Sequence, residues 1–159
     1  MKKILIFQVL LLSFFSLNAQ SFLESNGKKI HKELNKWSES FNDLEFIKEI
    51  EKREYYSINL KDGKTGNILV LSSAKGRFDH FDIMTIICSG KIEFIKVIKY
   101  RSEYGAEITN KKWLSQFYQK DTKEFVFRKD IDAVSGATFS ANGLINEINA
   151  ILKDIESFN

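Results

Sequence analysis

Short apolar runs separated by turn signals dominate residues 54–100. Residues 54–60 carry Tyr55, Tyr56 and Ile58, and residues 67–73 carry Ile68, Leu69, Val70 and Leu71. Residues 78–89 carry Phe81, Ile83, Ile86 and Ile87, and residues 93–100 carry Phe94, Ile95, Val97 and Ile98. Runs of this length, rich in aromatic and β-branched residues, read as strands. Lys61-Asp62-Gly63-Lys64 and Gly90 supply the turns between them, so four strands in an antiparallel meander are expected. The flanks have helical spacing instead. Ile30, Leu34, Trp37 and Phe41 predict an amphipathic helix over 22–42, weakened at Gly27, with 44–52 as a polar helical continuation or connector. Trp113, Leu114 and Phe117 mark a short helix over 110–118, and 124–127 reads as a brief strand. Leu144, Ile148, Ile151, Leu152 and Ile155 define a closing helix over 139–157. Strands followed by helices, without regular alternation, predict an α+β domain: an antiparallel sheet of four or more strands, helices packed on one sheet face, and an N-terminal helix.

The first twenty residues follow a different pattern. Lys2 and Lys3 precede an apolar stretch from residue 4 to 17 broken only by Gln8, Ser13 and Ser16, and Asn18-Ala19-Gln20 follows. A positive start, a short apolar run and a small residue before the cut form the layout of a secretory signal peptide. The run is shorter than the roughly 20 residues that a membrane-spanning helix needs. The expected protein is therefore exported, periplasmic or extracytoplasmic, with an uncleaved, membrane-associated anchor as the alternative. The composition agrees with a folded domain: 159 residues, 43% hydrophobic and 28% charged, which exclude a disordered chain. The net charge of +3 falls to +1 without Lys2 and Lys3, too little to mark a nucleic-acid surface. The single cysteine, Cys88, excludes a disulfide framework and a Cys-ligated zinc or haem site, and its apolar run makes it a core residue.

The segment Asp132-Ala133-Val134-Ser135-Gly136-Ala137-Thr138-Phe139-Ser140 carries the candidate chemistry. It lies just before the closing helix. Gly136 allows a tight turn, and Ser135, Thr138 and Ser140 supply hydroxyls. The helix that follows aims its free amides and positive dipole end at this turn, which suits a phosphate. The plainer reading is a helix N-cap, which Ser or Thr provides without any ligand. Capping alone does not account for so many small residues in a row.

All six constrained positions of D-x-x-[S/T]-G-A-T-x-[S/T] are met by Asp132, Ser135, Gly136, Ala137, Thr138 and Ser140. This segment resembles the flavinylation motif of the FMN-binding domain family, which includes flavin-bearing components of sodium-pumping NADH:quinone reductases and of Rnf complexes. The likeness extends upstream. Tyr104-Gly105-Ala106-Glu107-Ile108 followed by Lys112-Trp113-Leu114-Ser115-Gln116-Phe117 is similar to the family's glycine loop and its Trp-Leu-x-Gln-Phe helix, and Gly90-Lys91-Ile92 is similar to its hairpin. The resemblance covers about residues 54–158; with the N-terminal patterns it divides the chain into a signal peptide (1–19), an N-terminal helical segment (20–52) and an FMN-binding domain (53–159).

The resemblance also implies roles. Thr138 accepts FMN through a phosphoester, its Oγ attacking the phosphorus of FAD on a separate, magnesium-dependent flavin transferase. With no His in the motif, the base comes from that enzyme. Asp132 is part of what the transferase recognises. Ser135, Gly136 and Ala137 shape the turn and present amides to the phosphate, and Ser140 hydrogen-bonds it. Gly105, Glu107 and Trp113 line the flavin ring. The family members in those membrane complexes have a true transmembrane helix where this chain has a signal-like segment, and their loop has two glycines where this one reads Gly105-Ala106-Glu107.

The expected function is an exported electron carrier with covalent FMN, standing between a redox donor, such as a membrane reductase, and an extracytoplasmic acceptor, rather than an enzyme acting alone. The alternatives are a non-redox binding module of the same fold without covalent flavin, and a flavin-dependent reductase, for which no acid or base stands out. His31 and His80 read as surface and strand-face residues, Trp37 as core, and Asp130 with Asp132 lacks a third ligand type for a metal.

Overall fold

The computed structural model describes residues 21–158; the signal-peptide reading of 1–19 lies outside them. Helix α1 spans Phe22–Trp37, with Ser21 as N-cap accepting the Glu24 amide at 3.1 Å. Five strands follow: β1 (Phe41–Ile50), β2 (Arg53–Leu60), β3 (Asn67–Lys75), β4 (His80–Cys88) and β5 (Lys91–Lys99). They form one antiparallel meander in the order β1-β2-β3-β4-β5. A four-residue helix α2 (Lys111–Leu114) runs into a 3₁₀ turn (Ser115–Phe117), and α3 (Thr138–Glu156) closes the chain. The α+β class, the meander and the three helices agree with the sequence.

The first strand differs from the expectation. Helix α1 stops at Trp37, and residues 41–50 form β1 rather than a helical continuation. Phe41 shares the helical spacing of Trp37 yet is buried as the first residue of the strand. Register shifts between Phe41 and Asp43 and between Phe46 and Lys48 break the two-residue alternation by which a strand is recognised. β1 is also an edge strand, where polar side chains are tolerated on both faces. The brief strand expected over 124–127 is reduced to a single bridge between Phe127 and Ile131.

Both faces of the sheet are covered. Leu69, Leu71, Met84, Ile86 and Ile98 face α1 through Ile30 and Leu34. Val70, Ala74, Phe81, Ile83 and Ile95 face α3 through Leu144, Ile148 and Ile151, with Trp113, Leu114 and Phe117 at the margin. The helices thus occupy both faces rather than one. Two-sided burial explains why β3 and β4 read as nearly continuous apolar runs.

A cluster of charge ties the C-terminal half of α3 to the sheet. Arg53 Nε lies 2.7 Å from Asp154 Oδ2, and Tyr55 Oη donates to the same oxygen at 2.6 Å. Burial, together with this carboxylate, pushes the Tyr55 phenol well above its ordinary range. Glu147 approaches Arg53 at 3.7 Å, and burial raises its carboxyl above the ordinary glutamate range. A raised native value means that folding favours the protonated acid. Glu147 therefore contributes stability at low pH that is lost as pH rises through its native value. The thermal midpoint of Glu147→Gln, measured against the wild type, should rise as pH climbs from the ordinary glutamate range, about 4, through the raised native value. A difference that stays flat across this range would contradict the assignment.

Candidate functional site

Helix α3 crosses the end of β3 at very short range. A Cβ built on Gly143 would lie 1.8 Å from the Lys75 carbonyl oxygen, so only glycine allows the helix to sit this close. Lys75 leads directly into the β3–β4 turn, residues 76–79, and the crossing thereby sets the start of α3 beside that turn.

The motif occupies the approach to α3. Gly136 adopts φ +77°, in the left-handed region that glycine reaches without strain. Ala137 is the N-cap and is buried, and Thr138 is the first helical residue. No side chain caps this nineteen-residue helix. The plain capping role is therefore not filled by Ser135 or Thr138, and the first-turn amides are left for another partner. Ser135, Gly136, Thr138 and Asp132 are not among the buried residues, whereas Ala137 and Ser140 are.

The upstream segments converge on the same place. Asp132 is held through its backbone: its amide donates to Gln116 Oε1 at 2.8 Å, and its carbonyl accepts from Trp113 Nε1 at 2.9 Å. The Trp-Leu-Ser-Gln-Phe segment thus anchors the start of the motif. Trp113 itself is a core residue, 8% exposed and packed edge-on against Phe117 at 5.7 Å. Gly105, at φ +84°, is buried against the first turn of α3: a Cβ there would lie 2.6 Å from Ser140 Oγ and 2.8 Å from Tyr100 Oη. Glu107 Oε1 lies 3.7 Å from the Cβ position of Gly136, which places a carboxylate beside the motif turn. Ser140 is 2% exposed and paired with Tyr100 Oη at 2.8 Å, so its hydroxyl points into the protein.

Four further residues stand in or beside the motif, none of them given a role from the sequence: Arg77, Phe78, Tyr104 and Phe139. Phe78, Tyr104 and Phe139 are 68%, 66% and 62% exposed, high values for aromatic rings. Phe78 and Tyr104 meet edge to face at 6.1 Å, which joins the β3–β4 turn to the Gly105 loop. The Arg77 guanidinium lies 5.0 Å from the Phe78 ring and 5.5 Å from the ring of Phe139, the residue after Thr138. One signal was available: Phe78 follows Gly76 at a hairpin tip, where a polar residue is the rule. The aromatic ring instead reads as the start of the next strand, which begins at His80.

Among the described residues no group of three or more His, Cys, Asp or Glu is arranged to hold a metal ion, and no helix is long and apolar enough to cross a membrane. No curated protein matches the chain. The family model described as the FMN-binding domain matches residues 79–153, from the β3–β4 turn through the Gly105 loop and the motif into α3. The family match, with its threonine at an uncapped helix start beside exposed aromatic rings, identifies residues 79–153 as an FMN-binding domain.

Proposed function

We propose that this protein is an exported flavin electron carrier in which a separate flavin transferase joins FMN to Thr138 through a phosphoester. The observation that carries the reading is the position of Thr138 at the uncapped start of α3, inside a complete flavinylation motif. In the attachment step, Thr138 Oγ forms a bond to the FMN phosphorus of FAD, the pyrophosphate bond breaks, and AMP departs. The hydroxyl proton passes to a base of the transferase, since among the described residues no His lies in the motif.

The protein's own groups then hold the product. The Gly136 turn keeps side chains away from the phosphate, and the free amides of α3 face its negative charge. Arg77 adds a positive charge on the same side. Phe78, Tyr104 and Phe139 offer faces and edges on which a flat ring stacks. Trp113 acts from below, through the Asp132 carbonyl. When bound, FMN supplies the redox chemistry, taking two electrons and passing them on singly. Export rests on the N-terminal pattern, and an extracytoplasmic relay fed by a membrane reductase follows from it.

Protein made with an active transferase is expected to keep its flavin fluorescence in the polypeptide band after denaturing electrophoresis. A wild-type band without fluorescence would contradict the covalent link.

A further inference from the structure

Tyr100 stands at the end of β5, and its ring packs on Phe81 at 5.3 Å. Its hydroxyl lies between two segments of the site. It donates to the Tyr104 carbonyl at 2.7 Å and contacts Ser140 Oγ at 2.8 Å. A carbonyl cannot donate, so the single phenolic proton is committed to Tyr104, and Ser140 must donate to Tyr100. The direction of the chain is therefore fixed: Ser140 to Tyr100 to Tyr104.

Two loops close around this chain. Gly105 approaches so near that a Cβ would lie within 2.6 Å of Ser140 Oγ, and a Cβ on Gly76 would lie 3.6 Å from the same oxygen. Ser140 is thus the point on α3 where the Gly105 loop and the β3–β4 turn meet. These two segments carry Tyr104 and Phe78, whose rings touch.

We propose that Tyr100 is a positioning residue for the flavin: with Ser140 it clasps the Gly105 loop to α3 and so fixes the aromatic seat before FMN arrives. Tyr100 does not touch the flavin. It acts by holding the Tyr104 carbonyl and the glycine beside it, a preformed support of the kind that precise sites require. This rests on the reading that FMN is attached at Thr138.

The test uses transferase-loaded protein and two variants. Tyr100→Phe removes the clasp and keeps the ring. Tyr55→Phe removes a different tyrosine hydroxyl that ties α3 to the sheet, at the helix's other end, where Tyr55 meets Asp154. Intact mass reports attachment, and flavin fluorescence yield with the visible circular dichroism of the flavin reports seating. In Tyr100→Phe the mass increment is expected to persist, while the ratio of seated to unseated flavin falls about fivefold, the equivalent of one lost hydrogen bond. Fluorescence then rises toward that of free FMN and the dichroism falls. In Tyr55→Phe the melting temperature falls and both flavin signals stay at wild-type values. Wild-type flavin signals in Tyr100→Phe, or equal changes in the two variants, would overturn the clasp. A wild-type protein with no mass increment would instead overturn the attachment reading on which the clasp rests.

Discussion

Replacing Gly143 by alanine is expected to destabilise the fold by about 3 kcal/mol or more, although alanine is the better helix former. In an exposed helix interior the exchange would gain about 1 kcal/mol. Here the added methyl would stand 1.8 Å from the Lys75 carbonyl oxygen and 2.8 Å from the carbonyl carbon. Both atoms belong to the backbone of β3, which is tied to β4 along its whole length and cannot yield as a side chain would. Relief requires α3 to lift from the sheet, which loosens the packing of Leu144 and Ile148, both fully buried. The steric term therefore exceeds the propensity gain. Urea denaturation measures the sum, and a midpoint equal to or above that of the wild type would contradict the close crossing. The variant should also load flavin less completely, since the crossing sets the start of α3 beside the β3–β4 turn.

Asp154→Ala is expected to cost about 3 kcal/mol, the lower end for a broken buried ion pair. The loss is large because two groups share one carboxylate oxygen: Arg53 Nε at 2.7 Å and Tyr55 Oη at 2.6 Å. The Arg53 side chain is only 9% exposed, so its charge would be left in poor solvent. The cost stays below the upper end because Glu51 still meets Arg53 at 2.8 Å and Glu147 stands nearby. The Lys123–Glu156 pair provides the contrast. Its side chains are 87% and 53% exposed, and exposed pairs contribute little that can be measured. Chemical denaturation of Asp154→Ala beside Lys123→Ala separates the two cases. Equal midpoints for the two variants would show that the cluster at Arg53 is not a structural tie.

The parts of this fold that sequence reading recovers are those in which one local signal dominates. Strands β2 to β5 are apolar runs bounded by clear turns, and α3 keeps its helical spacing for nineteen residues. The motif is legible because its chemistry lies within nine consecutive positions. Strand β1 was hidden because its bulges spoil the alternation and because Phe41 continues the spacing of α1 across the break at Ser38. The aromatic seat was hidden for another reason. Phe78, Tyr104 and Phe139 come from a hairpin turn, a loop and a helix start, and only tertiary structure brings them together. Ser140 shows the same limit from the other side. A hydroxyl at a helix start reads as a phosphate partner, and only the close approach of Gly105 turns it inward toward Tyr100.

The intact mass of the purified protein decides whether Thr138 carries FMN. The protein is to be produced with and without a co-expressed flavin transferase, beside Thr138→Ala. An FMN-sized increment is expected in the wild type, requiring the transferase and disappearing in the variant. An unmodified wild-type mass in the presence of a transferase shown to be active on another substrate would overturn attachment at Thr138.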